Sequence, residues 1–248
     1  EHISGDEETF SIYMNQIATN MGLKNTNYVN STGLPNDQLY TSAEDVAVLS
    51  RHLIKNFPNR YKLYSKKEYI FNEIKQFSRN KLLYVDDSVD GIKTGFTKKA
   101  GYCLVSSAKR ANRRLISVVM GAKSPDQRTA ISKSLLEYGF RFYETHRIFE
   151  KDDVLFKARV FDGEEQEIKL GVLEGQHISV PRRSIKKIKK SYVVDKNLTA
   201  PVSKGENVGY VAIELNGEVV TKINLYALED IQLGSLYRRT LDSILKNF

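Results

Sequence analysis

Val89-Asp90-Gly91-Ile92-Lys93-Thr94-Gly95-Phe96-Thr97 consists of an apolar lead-in, a Lys-Thr-Gly triplet, and a second threonine one position beyond an aromatic residue. A lysine ammonium is a compact charge with three donors, so at the rim of a site it can hold a carboxylate or assist proton movement. The threonine hydroxyl can donate to the same carboxylate. Glycine removes the side chain where a strand must come close to a ligand. The residues that follow, 102–108 and 115–120, are rich in apolar and β-branched types and flank the polar run Lys109-Arg110-Ala111-Asn112-Arg113-Arg114. This pattern predicts a strand hairpin directly after the triplet, with Lys93, Thr94 and Gly95 on a strand near a sheet edge.

Upstream, Phe10, Met14, Ile17 and Met21 recur at helical spacing and stop at Gly22, which predicts an amphipathic helix over 7–21. Residues 25–38, rich in Asn and Thr with Gly33 and Pro35, read as loop. Thr41 or Ser42 can cap a second helix to about residue 56, with Val46, Leu49, Leu53 and Ile54 on one face and Pro58 beyond its end. A polar segment containing Tyr61, Tyr64, Tyr69 and Phe71 leads to the triplet strand. Ser124-Pro125-Asp126 opens a third helix to about residue 138. After residue 145 the pattern becomes short alternating runs at 154–161, 167–173, 177–181, 186–194, 206–215 and 218–225, punctuated by glycines. These predict a small antiparallel β domain with a hairpin turn at Asn216-Gly217. The expected organisation is a first domain over 1–145, a β-rich domain over 146–230 and a tail helix over 231–248. In the tail, Leu236, Tyr237, Leu241, Ile244, Leu245 and Phe248 share a stripe that Arg238, Arg239 and Lys246 avoid. Such a pattern suits a helix lying in a membrane interface, although by itself it reads first as a terminal helix packed on its own domain.

A chain of 248 residues with 41% hydrophobic and 27% charged residues can bury an ample core and does not read as disordered. No apolar run approaches the ~20 residues of a membrane-spanning helix. The single cysteine, Cys103, excludes an internal disulfide and a cysteine-based zinc cluster, and its strand setting predicts a buried core thiol. His2, His52, His146 and His177 form no spaced pair, so neither a metal nor a cofactor is expected. The net charge of +8 favours anionic partners. The basic run over 182–190 is interrupted by Ile185 and Ile188 and has no stacking platform beside it. It therefore reads as a solvated strand and loop face, and no nucleic-acid partner is expected.

Several stretches, taken in order, carry a resemblance. They are Gly22-Leu23-Lys24-Asn25-Thr26, Gly33-Leu34, Asn80 with Leu82-Leu83, Val89 to Gly95, Ala100-Gly101-Tyr102, Leu115-Ile116 with Val119-Met120-Gly121, Gly139-Phe140-Arg141-Phe142, Ser191-Tyr192-Val193 and Ala200-Pro201. Over essentially the whole chain they resemble the low-molecular-mass penicillin-binding proteins, and within these the D-alanyl-D-alanine carboxypeptidases of the penicillin-binding protein 5 and 6 type. Lys-Thr-Gly is one of three motifs shared by penicillin-binding proteins and class A β-lactamases. The resemblance implies an α/β (α+β) serine transpeptidase/β-lactamase-like domain, N-terminally incomplete, followed by a small all-β domain and a C-terminal amphipathic helix.

The resemblance also implies a serine-type carboxypeptidase that removes the terminal D-Ala from peptidoglycan pentapeptides through an acyl-enzyme and is inhibited by β-lactams. The enzyme would sit on the periplasmic side of the bacterial inner membrane, anchored peripherally to the membrane surface by the tail helix. Lys93, Thr94 and Gly95 match the family triplet, Lys93 with a catalytic as well as a binding role. Arg128 matches the arginine that helps hold the terminal carboxylate. Arg79 stands at another substrate-binding position, where a structural ion pair is an equal reading.

The family's nucleophile and base, in a Ser-x-x-Lys motif, and its Ser-Gly-Asn motif are expected N-terminal to Glu1, which makes this chain the C-terminal portion of the enzyme and inactive alone. The bare Ser-x-x-Lys spacing at Ser78, Ser106, Ser184 and Ser243 is read as chance, and Ser4-Gly5-Asp6 ends in the wrong residue. Phe96, where the family often has His, and Thr32, in place of the His of His-Gly-Leu, are departures that bear on substrate preference. The alternatives are a non-catalytic cell-wall or membrane-binding module that retains the fold without the nucleophile, and a polyanion-binding protein resting on charge alone.

Overall fold

The computed structural model describes residues 2–245, excepting the side chains of Leu241 and of residues 243–245. The chain divides between Arg141 and Phe142 into two compact units. In the first, α1 (Glu7–Asn20) begins where the Asp6 carboxylate accepts the Thr9 N–H at 2.6 Å. α2 (Ala43–Asn56) begins where the Ser42 hydroxyl accepts the Asp45 N–H at 3.1 Å. Both first turns carry acidic residues, as the helix dipole favours.

After α3 (Pro58–Tyr61), the segment read only as polar folds into a hairpin of β1 (Glu68–Phe71) and β2 (Ile74–Phe77). Its turn residues Asn72 and Glu73 both have positive φ, the twist a two-residue hairpin needs. Glu73 stands where glycine usually gives the signal, and both faces of the hairpin are exposed, so no alternation marks it.

α4 (Leu82–Val85) leads into β3 (Val89–Thr97), β4 (Gly101–Arg110) and β5 (Arg113–Ala122). These three strands form an antiparallel sheet in that order, with β3 at its edge. The polar connection expected over 109–114 shrinks to Ala111-Asn112, because Lys109 pairs with Arg114 and Arg110 with Arg113 in the ladder. Charged side chains end the hydrophobic pattern there before the backbone stops pairing. α5 (Pro125–Phe142) buries Arg128, Ser132, Leu136 and Phe140, a stripe spaced by four. A Cβ on Gly139 would lie 2.6 Å from Leu115 Cδ1, so glycine lets α5 close onto β5. Leu82, Leu83, Val89, Leu104, Ala108, Leu136 and Phe140 make the core of this unit.

The second unit is β-rich. Its strands are β6 (Tyr143–Phe149), β7 (Val154–Arg159), β8 (Glu167–Gly171), β9 (Gln176–Pro181), β10 (Ile188–Val194), β11 (Asn207–Leu215) and β12 (Glu218–Ala227). One sheet has the order β10-β11-β12-β8-β7, and β6 pairs with β9. Charged residues interrupt the alternation of β6, so its strand character is not legible in the sequence alone. Asn216 and Gly217, both at positive φ, form the β11–β12 turn. The basic run occupies an exposed 3-10 turn at Ile185–Lys187 and the start of β10.

α6 (Leu236–Leu245) exposes Leu236 and Tyr237 and buries Asp242, whose carboxylate accepts the Asp162 N–H at 2.7 Å. The stripe positions Leu241, Ile244 and Leu245, by their side chains, and Phe248, with the off-stripe Lys246, lie outside the described residues. Among the described residues no helix is long and apolar enough to cross a membrane.

Two measurements test this account of the first unit. Leu104 is fully buried at the centre of the sheet, so Leu104→Ala should cost about 2–5 kcal/mol in denaturant unfolding. The Asp45 carboxylate accepts the Thr26 hydroxyl at 2.6 Å and the Asn25 N–H at 2.7 Å, and these bonds hold its pKa below the usual carboxylate range. A depressed folded pKa adds stability above the unfolded value that is lost as pH falls through the folded one. Asp45→Asn should therefore lower the melting temperature at neutral pH, with the gap to wild type closing only as pH falls below the ordinary carboxylate range.

Candidate active site

Lys93, Thr94, Gly95 and Phe96 from β3 line a cavity of about 550 Å³. Its other walls are Tyr102 on β4, Ser78, Arg79 and Lys81 before α4, and Pro125 and Arg128 at the start of α5. All five residues singled out in the sequence, Arg79, Lys93, Thr94, Gly95 and Arg128, thus meet around one space. They reach it by different routes. In the edge strand, backbone pairing with β4 sets Lys93 opposite Val105 and Thr94 opposite Leu104. Lys93 is exposed, and its ammonium donates to the Thr94 carbonyl.

Arg128 is only 6% exposed and sits on the first turn of the buried α5 stripe. One terminal nitrogen of its guanidinium donates to the Gly95 carbonyl at 3.1 Å and to the Cys103 carbonyl at 3.2 Å. The guanidinium also lies 5.6 Å from the centroid of the Tyr102 ring. Arg128 thus ties α5 to the strand that carries the triplet and to its neighbour. A guanidinium has five N–H donors, so this anchoring leaves donors for an anionic ligand. Phe96, 55% exposed, stacks on Tyr102 with ring centroids 4.2 Å apart. Phe96, Tyr102 and Arg128 therefore form one continuous lip, apolar outside and cationic inside. Tyr102 was not singled out as a site residue, and only the β3–β4 register sets it opposite Phe96.

The Ser78–Lys81 spacing falls on the cavity wall, but Lys81 is engaged at 2.6 Å by Asp126 and no buried helix begins at Ser78. Ser106 is buried within β4, and Ser184 precedes a short 3-10 turn. Ser243 has a side chain outside the described residues. Asp6, third in Ser4-Gly5-Asp6, is the cap of α1. Thr32 lines a second cavity of about 710 Å³ together with Met14, Tyr28, Cys103 and Met120. Cys103 is half-buried there, which corrects the expectation of a core thiol: the β3–β4 pairing turns it towards this cavity and not into the apolar cluster. Among the described residues no group of three His, Cys, Asp or Glu is disposed to hold a metal ion.

Comparison with known proteins gives the family. The family described as D-alanyl-D-alanine carboxypeptidase matches residues 1–124, and the penicillin-binding protein 5 C-terminal domain matches residues 143–233. The D-alanyl-D-alanine carboxypeptidase DacA of Haemophilus influenzae is 40% identical over 245 residues, covering 98% of this chain. The chain spans 62% of that relative's length. A crystal structure of penicillin-binding protein 5 from Haemophilus influenzae superposes with a TM-score of 0.83 at 41% identity, covering 94% of this chain and 68% of that one. Penicillin-binding protein D2 from Listeria monocytogenes in the cefotaxime-bound form matches 53% of this chain and 55% of its own at 34% identity and a TM-score of 0.51. The chain belongs to the D-alanyl-D-alanine carboxypeptidase family, its peptidase part followed by the C-terminal domain of penicillin-binding protein 5.

Proposed function

We propose that this chain is the Lys-Thr-Gly-bearing part of a serine-type D-Ala-D-Ala carboxypeptidase that trims the terminal D-Ala from peptidoglycan stem peptides. The observation that carries the reading is the convergence of Lys93, Thr94 and Arg128 on one cavity within the fold of this family. A carboxypeptidase must recognise a free carboxylate, and a guanidinium and an ammonium at one wall suit that charge. In this reading Thr94 donates its hydroxyl to the carboxylate, Gly95 lets the substrate backbone run along β3, and Arg79 guards the rim.

The attacking serine and its lysine base belong to a Ser-x-x-Lys segment of the polypeptide beyond the residues described here. Serine adds to the penultimate D-Ala carbonyl, the terminal D-Ala leaves with the proton relayed by the base, and water then releases the acyl group. The backbone N–H of the nucleophile and one on β3 after the triplet would stabilise the oxyanion. β-Lactams would enter by the same route and stop at the acyl-enzyme. Action in the periplasm, with α6 resting on the inner-membrane surface, is part of the same proposal. It rests on the family and on the exposed Leu236 and Tyr237 beside Arg238 and Arg239.

The test is intact-mass spectrometry of the natural full-length polypeptide after incubation with a fluorescent penicillin. A single stable adduct on a serine upstream of this chain is expected. A folded, full-length protein that takes up no label would instead be a non-catalytic wall-binding module. In the full-length enzyme, Arg128→Lys keeps the charge but cannot bridge two carbonyls and still present a fork to a ligand. It should slow penicillin acylation by about 10- to 100-fold, measured as the second-order labelling rate.

A further inference from the structure

Asp90 is where the β3–β4 ladder slips. Val89 faces Ala108 and Gly91 faces Ser107, leaving Asp90 without a partner in the register. A bulge of this kind re-aims one side chain. Here the Asp90 carboxylate meets the Arg114 guanidinium of β5, whose two terminal nitrogens each donate to one carboxylate oxygen at 2.7 Å. The Tyr61 hydroxyl, from α3, donates to Asp90 Oδ1 at 2.6 Å. Arg114 also donates to the Ser107 hydroxyl of β4 at 2.7 Å, and its guanidinium lies 5.4 Å from the Tyr61 ring centroid. Burial, and then the bond to Asp90, push the Tyr61 phenol well above its ordinary pKa, so it stays a donor across the physiological range.

The next residue transmits this arrangement to the strand. A Cβ on Gly91 would lie 2.7 Å from the Tyr61 hydroxyl oxygen, so the strand rests directly on that oxygen. The Gly91 carbonyl accepts the side-chain amide N–H of buried Asn80 at 3.1 Å, while Asn80 Oδ1 accepts the Leu82 N–H at 3.2 Å. Lys93 follows two positions later. Tyr61, Asp90 and Arg114 do not line the cavity, so whatever they do for it passes through β3.

We infer that Tyr61, Asp90 and Arg114 are positioning residues for acyl transfer, setting through Asp90 and Gly91 where the Lys93 ammonium and the Thr94 hydroxyl stand. The inference rests on the function proposed above. Among the described residues β3 has one neighbouring strand in the sheet, so its backbone pairing fixes it from one side only, and the cluster supplies the restraint that the ladder does not. A misplacement of the order of an ångström is enough to slow such chemistry severely.

The experiment uses the full-length polypeptide with its Ser-x-x-Lys segment. The acylation rate constant and the non-covalent dissociation constant for a fluorescent penicillin are measured separately, alongside the melting temperature. Tyr61→Phe removes one hydroxyl and keeps the ring. Gly91→Ala drives a methyl group against that hydroxyl. Each should lower the acylation rate constant about 10-fold while the protein still melts cooperatively. The double variant should lose less than the product of the two, because the atom the methyl strikes is gone. Asp90→Asn, which keeps the side-chain shape, should show the same selective fall in acylation and stands in if Gly91→Ala does not fold. Unlabelled wild type would sink the carboxypeptidase reading and this inference with it. Labelled wild type, with variants that melt lower yet acylate at the wild-type rate or with losses that simply multiply, would overturn the positioning role alone.

Discussion

The site depends on how an edge strand is held. β3 carries the Lys-Thr-Gly triplet and pairs with one strand, β4. Backbone hydrogen bonds fix the register of such a strand but leave it free to tilt about its one partner. Two side-chain clamps remove that freedom. At the upstream end, the Asp90 carboxylate is gripped by Arg114 and Tyr61, and the Gly91 carbonyl by Asn80. At the downstream end, Arg128 bridges the Gly95 and Cys103 carbonyls from α5. Lys93 and Thr94 lie between the clamps. Charge-assisted bonds suit this work, being stronger and more directional than neutral ones.

Each clamp is itself a product of packing. Arg128 reaches the sheet because Ser132, Leu136 and Phe140 bury the same face of α5, and because Gly139 lets the helix close onto Leu115. The Phe140 ring in turn lies under the Arg110 and Arg113 guanidinium groups at 4.5 and 5.4 Å. The guanidinium that meets the strand at one end of α5 and the aromatic ring that seats the other end thus belong to one stripe. A change in the core of this unit is therefore a change in the position of Arg128, and stability and site geometry are not separable here.

Phe96 and Tyr102 give the cavity a chemical character of its own. Their stack forms an apolar lip beside the cationic Arg128. Thr32 faces the neighbouring cavity with Cys103 and Met120. Phe96 and Thr32 thus line different spaces.

Local sequence alone determined the helices at α1, α2 and α5, the strand character of β3 to β5, most strands of the second unit, and the Lys-Thr-Gly signature. In each case the periodicity of buried residues or the chemistry of a cap or turn is written in consecutive residues. Arg79 and Arg128 were legible only through family resemblance, since an arginine on a helix or loop has the same local context whether it faces solvent or a carbonyl. Tertiary structure decided the rest. The β1–β2 hairpin escaped because it buries neither face. Tyr102 joined the site through strand register, Cys103 turned towards a cavity because of pairing with β3, and the Tyr61–Asp90–Arg114 cluster gathers side chains onto Asp90 from 29 positions upstream and 24 positions downstream in the chain. Such contacts depend on which face a bulge redirects and on how closely a helix can approach a sheet, and no short window of sequence carries that information.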